Sequence, residues 1–214
     1  MNWQWIATNW PKIADLALTH VQIALPPIAV AFLVALPVGW VAHRHARVRD
    51  VLVGAASLLY VVPSLALFVA LPLVLGTSVL SPVNVVVALS LYGIALQVRS
   101  TADAFDTVPT STREAATAVG YTARHRFWAV DLPLAAPMIL SGLRVVAAST
   151  ISLTSVGALI GVRSLGTLFT EGFQRSFPTE IVTGLVATLL MALFVDLVLR
   201  AAGYVALPWT RRRA

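Results

Sequence analysis

The sequence predicts an all-α integral membrane protein, a helical bundle of five transmembrane helices. Of its 214 residues, 58% are hydrophobic and only 11% are charged, which is more apolar surface than one water-soluble core of this size can bury. The apolar residues form runs close to the roughly 20 residues that a helix needs to cross a hydrocarbon core. Backbone polar groups in lipid must be satisfied within the segment, and the runs lack the alternation of a membrane β-barrel, so we expect helices.

Five apolar segments approach the required length: residues 21–42, 51–75, 83–98, 133–161 and 179–201. Between Asp50 and Arg99 there is no charged residue, and a single helix of that length would overshoot any bilayer. This stretch therefore has to hold two spans, and residues 76–82 supply the turn between them. We expect residues 21–214 to form one membrane domain.

The two ends of the chain carry membrane-interface signals. Residues 1–20 mix tryptophans with leucine and alanine, a pattern typical of a helix that lies in the interface. After the last span, Trp209 precedes a basic cluster, Arg211, Arg212 and Arg213, which anionic lipid of the inner leaflet would attract. Arginine also concentrates in the loops after the first and third spans. The positive-inside rule then predicts a cytoplasmic C-terminus and, with five spans, an N-terminus outside.

Charged residues inside the apolar segments are few. Asp196 and Arg200 are four residues apart near the inner end of the fifth span, which predicts a local ion pair rather than a proton relay. Arg144 lies close enough to the beginning of the fourth span for its side chain to reach the headgroups.

Composition also excludes several kinds of chemistry. Cysteine is absent, and none of the four histidines has the helical spacing to a glutamate that a hydrolytic zinc site uses, so we expect no metal site. The net charge of +6 comes from arginines at the ends of apolar segments, a pattern that indicates membrane orientation and not nucleic-acid binding. Lys12 is the only lysine and follows no Gly-rich phosphate loop, so this chain does not bind ATP by itself.

The longest polar stretch lies between the third and fourth spans and is assigned to the inside. We expect two short helices at about residues 111–132, with a hinge where Gly120 permits a left-handed turn. Small side chains at Ala115 and Ala116 leave one face shallow enough to fit the groove of a partner. A solvated loop whose alanines merely favour helix explains the same residues equally well.

A resemblance decides between these alternatives. The stretch resembles the cytoplasmic signature of ABC importer permeases, with Val130 in place of the usual isoleucine. The matching residues are Glu114, Ala115, Ala116, Gly120, Leu132 and Pro133. The resemblance implies the type I ABC importer permease fold, with these residues coupling the spans to an ATPase.

The same resemblance implies a set of partners and a location. ATP and Mg would be bound by two ATP-binding cassette ATPase subunits, and this chain would be non-catalytic and bind no cofactor. A second permease chain, identical or similar, would complete the pathway, and an extracytoplasmic binding protein would select the substrate. The protein would be a multi-pass component of a bacterial inner membrane.

The sequences of the second and third spans indicate which substrate the permease would carry. Residues 60–68 resemble permeases for osmoprotectants such as glycine betaine, carnitine and choline, with a methionine or other amino-acid permease as the alternative. Candidate pathway residues are Tyr60, Pro63, Ser64, Tyr92 and Gln97. For the four residues other than Pro63, simple packing between helices is the preferred alternative, and Pro63 is also a candidate to break the second span and form a gate.

Two other classes of protein are alternatives to a transporter subunit. An intramembrane enzyme needs an activated nucleophile, but Ser149, Ser152 and Ser155 have no histidine on a neighbouring span. A membrane scaffold that only recruits a partner differs from a transporter subunit in one measurable property, since it would not support reconstituted transport.

Overall fold

The computed structural model describes the backbone of residues 1–213 and the side chains of residues 1–210, so the predicted basic cluster at residues 211–213 lies outside the described side chains. The described residues form ten α-helices and no strand. These helices are α1 (Trp3–Thr8), α2 (Trp10–Arg44), α3 (Ala46–Val61), α4 (Ser64–Leu75), α5 (Pro82–Asp106), α6 (Thr110–Ala118), α7 (Ala123–Arg126), α8 (Leu132–Val156), α9 (Gly166–Gln174) and α10 (Pro178–Ala206). Short 3₁₀ segments follow α8 and α10, and a π-helical turn, Phe127–Asp131, joins α7 to α8.

By length and composition, the structure contains five candidate spans. Four are helices that are long and apolar enough to cross a membrane: α2, α5, the continuous helix from Ala123 to Ile160, and α10. The fifth is the pair α3 and α4, which are bent by 103° at their junction. The predicted all-α bundle of five spans is therefore confirmed, and the second span is broken at Pro63, the residue named as a candidate for such a break.

Proline chemistry explains the bend in the second span. Pro63 has no amide hydrogen to continue a helix, and a proline disfavours helical geometry in the residue before it. Val62 accordingly has extended backbone angles, with φ −63° and ψ 127°. The Tyr92 hydroxyl of α5 donates a hydrogen bond to the Val62 carbonyl at 2.6 Å. The position of the bend is thus fixed against α5, and a carbonyl released by the break has a partner.

The predicted interfacial segment, residues 1–20, is not one separate helix. Helix α1 covers only its first part, and α2 then runs without a break from Trp10 into the first span. A 35-residue α-helix is about 50 Å long, longer than a hydrocarbon core is thick. The placement of its first turns at the interface stays a prediction.

Helix α5 lies at the centre of the bundle and packs against α2, α3, α4 and α8. Ala31 and Ala35 of α2 are fully buried, and such small side chains allow two membrane helices to approach closely. Towards one end of the bundle, Phe68 of α4 packs with Val85 and Leu89 of α5. These contacts hold the bent second span against the central helix.

An ion cluster joins α2, α9 and the start of α10. Glu180 is fully buried, and it contacts Arg175 and lies 3.5 Å from the Lys12 ammonium. Lys12 also bonds Glu171 and thereby holds the pKa of that carboxyl below its usual value. A carboxyl with a lowered pKa stabilises the fold above its ordinary pKa, and this contribution is lost as the pH falls through the lowered value.

A second ion cluster joins α8 and α10 inside the apolar spans. The predicted pair is confirmed, because Arg200 Nε donates to Asp196 Oδ2 at 2.8 Å. Arg144 does not simply extend towards the headgroups as expected. Its guanidinium donates to both carboxylate oxygens of Asp196, and the distance from Arg144 Nη2 to Asp196 Oδ2 is 3.2 Å. A charge within a span is less costly when it is paired with an opposite charge.

Gly166 gives a direct test of how closely α9 is held to the end of α8. A Cβ atom at this position would lie 2.0 Å from the Ser155 carbonyl oxygen. We therefore expect Gly166→Ala to lower stability by roughly 1–3 kcal/mol, the usual cost of overpacking, measured as the thermal unfolding midpoint of detergent-purified protein. Gly54→Ala is the matched control, since nothing lies within 4 Å of its Cβ and alanine favours helix. Equal midpoints for the two variants would contradict this account.

Candidate functional site

The segment between α5 and α8 forms a compact projection at one end of the bundle. Helix α6 ends in a Schellman motif, in which the Tyr121 amide donates to the Ala116 carbonyl and the Gly120 amide to the Thr117 carbonyl. Gly120 has a φ of +90°, a backbone conformation that glycine adopts without strain. The predicted left-handed turn at Gly120 is confirmed, and it reverses the chain between α6 and α7.

The second half of the segment differs from the prediction of two short helices. Helix α7 continues through the π-helical turn into α8, so one helix runs from Ala123 into the fourth span. Pro133 explains the irregularity, because a proline ring clashes with the carbonyl four residues earlier in a regular α-helix. The wider π-turn absorbs this conflict, and the Leu132 amide donates to the Phe127 carbonyl instead.

A buried carboxylate holds the projection together. Asp131 is 6% exposed, and its oxygens lie 3.1 Å from Arg113 Nε and 3.5 Å from Arg126 Nε. Arg113 also donates to the Phe105 carbonyl in the last turn of α5. Asp131 thus fixes α6 and α7 to the beginning of α8. Sequence reasoning missed this residue, although an acidic group inside the signature with arginines before it was an available signal.

The six signature residues divide into two groups in the structure. Glu114, Ala115 and Gly120 are exposed on the projection, whereas Ala116 is buried beneath it. Leu132 packs into the cluster around Phe105, and the Pro133 carbonyl accepts a hydrogen bond from Trp209 Nε1 at 3.1 Å. The first group is accessible to a partner, and the second belongs to the bundle.

The projection is concave on the side of Glu114. A cavity of about 540 Å³ is lined by Thr110, Arg113, Glu114, Thr117, Ala118 and Arg126. Beside it, Val119 is 74% exposed at the tip of the turn. The surface therefore offers one carboxylate, flanking guanidinium groups and an apolar tip, a combination suited to contact with another protein.

The candidate pathway residues fall in two places. Tyr60, Pro63 and Tyr92 meet at the bend, where the two tyrosine rings are 6.0 Å apart in an edge-to-face arrangement, and the half-buried Ser64 begins α4 there. Gln97 is fully buried away from the bend and donates to the Ile139 carbonyl of α8 at 3.0 Å.

Tyr60 also lines a small cavity that sequence reasoning did not find. This cavity of about 240 Å³ is lined by Ala56, Ser57, Tyr60, Ala95, Leu96 and Arg99. Tyr60 is 49% exposed, so its ring is accessible from this side. Among residues 1–213, no three histidine, cysteine or acidic side chains are placed to hold a metal ion together.

Asp131 offers a test of how the projection is held. Asp131→Asn removes the only negative charge between two arginines, and losing one partner of a buried ion pair typically costs about 3–5 kcal/mol. We expect amide hydrogen exchange over residues 110–126 to rise at least roughly tenfold, as local opening becomes easier. Asp103→Asn is the control, because Asp103 bonds Arg49 on the exposed surface, where pairs contribute little. Unchanged exchange in the Asp131 variant would contradict the anchoring role.

Comparison with known proteins agrees with this geometry. Residues 28–212 match the family described as binding-protein-dependent transport system inner membrane component. The osmoprotectant import permease protein OsmW of Salmonella typhimurium is 30% identical over 203 residues, covering 94% of each chain. The choline transport system permease protein OpuBB of Bacillus subtilis is 28% identical, over 93% of this chain and 90% of the relative.

A solved structure has the same fold. A chain of the MetNI methionine ABC transporter, crystallised in inward-facing conformations, superposes with a TM-score of 0.78 over 88% of this chain and 94% of that chain. At 19% identity, this likeness speaks for the fold alone. The chain therefore belongs to the family of binding-protein-dependent transport system inner membrane components, and it is a multi-pass inner-membrane permease subunit of an ABC importer whose ATP hydrolysis takes place on a separate subunit.

Proposed function

We propose that this permease carries an osmoprotectant such as glycine betaine, carnitine or choline. The observation that carries the proposal is the 30% identity to an osmoprotectant import permease over 94% of both chains. The methionine alternative has weaker support, because the methionine transporter chain shares the fold at only 19% identity. Selection among cargoes would be made mainly by an extracytoplasmic binding protein.

The cavity beside Tyr60 supports a zwitterionic or cationic cargo. Aromatic faces attract quaternary ammonium groups through cation–π interaction, and the Tyr60 ring is half-exposed. Arg99 lines the same cavity and would pair with the carboxylate of glycine betaine or carnitine. A single chain supplies only part of such a site. A second permease chain, identical or similar, would complete a pathway between the two.

The projection would be the docking surface for the ATPase. The exposed Glu114 and Ala115 would contact one ATPase subunit, and each permease chain of the pair would bind one such subunit with its ATP and Mg. In this arrangement the projection lies in the cytoplasm, together with the C-terminus, and the N-terminus lies outside. The distribution of charge supports this orientation, because the arginine-rich start of α3 and the arginine-rich segment after α5 meet at the end of the bundle that carries the projection, where Arg49 of α3 bonds Asp106 at the end of α5.

The coupling proposal predicts separable defects in docking and folding. Glu114→Ala removes the docking charge, and Ala115→Trp places bulk on the docking face. Each variant should reduce ATP-driven uptake by reconstituted transporter roughly tenfold, the effect of losing about 1.4 kcal/mol of contact energy, while the unfolding midpoint is unchanged. Ala7→Trp is the matched control, an exposed alanine on α1 at the other end of the bundle. Normal uptake by both loop variants would refute the assignment.

The cargo proposal predicts an uptake preference. Proteoliposomes that contain the permease, its ATPase and its binding protein should accumulate labelled glycine betaine and not labelled methionine. Tyr60→Leu should lower glycine betaine uptake several-fold, because a cation–π contact contributes about 0.5–2 kcal/mol, and Tyr60→Phe should retain it. Uptake of methionine alone would overturn the choice of cargo and leave the permease assignment intact.

A further inference from the structure

A cavity of about 290 Å³ between α8 and α10 has a positively charged lining. Arg144 and Arg200 both line it, and both bond the same carboxylate, that of Asp196. Two guanidinium groups against one carboxylate leave a net charge of +1. One arginine would be enough to pair Asp196, and the Arg200 side chain is 60% exposed. The cluster therefore holds one cation more than its own ion pair requires.

The cluster lies within the spans and not at headgroup level. Arg144 follows Pro133, at the projection end of α8, by about three helical turns, or roughly 16 Å. Arg200 bonds Asp196, which is one turn farther from the end of α10, so its side chain reaches into the span and not towards the nearer interface. Charged side chains at such depth face a protein interior or a water-filled cavity, and they mark ion and substrate pathways. This part of α8 and α10 is therefore not a lipid-facing surface.

This cavity and the cavity beside Tyr60 open on the same side of the bundle. Helix α2 packs against α3, α5 and α8, and its contacts with α8 include Leu143 and Ala147. Ser141, which lines the cavity, is exposed on the face of α8 that is turned away from these contacts. Neither cavity includes a residue of α2, since α3 and α5 line one, and α8, α10 and the segment after α10 line the other. The two cavities thus share the side that α2 leaves uncovered.

We propose that this cavity is a second cargo site on the translocation pathway, where Arg144 and Arg200 bind the carboxylate of the cargo. The inference rests on the proposed function in one respect, that the cargo has a carboxylate, as glycine betaine and carnitine do. Guanidinium groups pair strongly with carboxylates, and the net charge of +1 leaves the cluster able to accept one. Tyr204 lines the same cavity one turn after Arg200, and aromatic rings attract the quaternary ammonium group of such a cargo.

Two other anionic occupants fit this cavity less well. A phospholipid phosphate lies at headgroup level, about three helical turns away from Arg144. An identical second chain would bring a cluster with the same excess of positive charge. Apart from Asp196, every acidic residue of the sequence lies within two turns of a helix end, in a short helix or in a loop. A small carboxylate that arrives along the pathway meets neither obstacle.

A cysteine tests whether the cavity contains water. The chain has no cysteine, so Ser141→Cys creates the only thiol of the permease. In inside-out vesicles that contain the assembled transporter, this thiol should react with a membrane-impermeant methanethiosulfonate reagent. Leu189→Cys is the matched control on the apolar face of α10, where the leucine is 66% exposed, and it should not react. An unreactive thiol at residue 141 would overturn the placement on the pathway.

The same thiol tests the charge of the cavity. A reagent with a sulfonate group should react faster than one of similar size with a quaternary ammonium group, once both rates are normalised to a free thiol. Arg200→Gln leaves Asp196 paired with Arg144 and should lower this ratio several-fold, because it removes the excess charge. Arg47→Gln is the control, an exposed arginine that lines neither cavity, and it should leave the ratio unchanged. An unchanged ratio in the Arg200 variant would refute the anion site.

Protection by ligands tests the carboxylate. Glycine betaine and choline both carry a trimethylammonium group, but only glycine betaine has a carboxylate. Millimolar glycine betaine should slow modification of Ser141→Cys several-fold, and choline should not, and Arg200→Gln should abolish the difference. Equal protection by both compounds, or by neither, would overturn this site and leave the proposed function intact. Uptake of methionine alone, with protection by methionine, would instead overturn the choice of cargo and support the site.

Discussion

The need to satisfy every backbone polar group without water governs this structure. Regular helices meet that need along most of the chain, and the irregular backbone beside Pro63 and Pro133 shows how it is met otherwise. At Pro63 the helix breaks, and the Tyr92 hydroxyl bonds the Val62 carbonyl. At Pro133 the helix continues, because a π-turn shifts the Leu132 amide to the Phe127 carbonyl. One proline therefore produces a 103° bend and the other only a local widening.

Carboxylates shared by two cations join the helices. Glu180 contacts Lys12 and Arg175, Asp131 contacts Arg113 and Arg126, and Asp196 contacts Arg144 and Arg200. In each case at least one cation comes from a different helix than the carboxylate. A charge in an apolar environment is stable only when it is paired, so each cluster specifies which helix ends must meet. The three clusters connect α2 with α9 and α10, α6 with α8, and α8 with α10.

Structural features that depend on a local sequence pattern could be predicted, whereas contacts between residues distant in the sequence could not. Hydrophobic runs predicted five spans, and the left-handed turn at Gly120 follows from glycine alone. The partner of Asp196 was found only where it was four residues away, as Arg200, and was missed where it was Arg144 on another helix. The continuity of α7 with α8 was also missed, since a proline at residue 133 is an ordinary sign of a helix boundary. The role of Gln97 between α5 and α8 depends on a carbonyl that no sequence pattern reveals.

The continuous helix from Ala123 to Ile160 gives the proposed coupling a mechanical basis. In a chain with two short helices and a flexible joint, a partner that moved the projection would move only the loop. Here α7 is the first turn of the fourth span, and Asp131 holds α6 against the same helix. Under the proposed coupling, a displacement applied at Glu114 would be passed to α8, with the π-turn as the point at which the angle is easiest to change. Gln97 of α5 bonds the Ile139 carbonyl of α8, so in this proposal α5 would move with α8, and with it Tyr92, which fixes the bend of the second span.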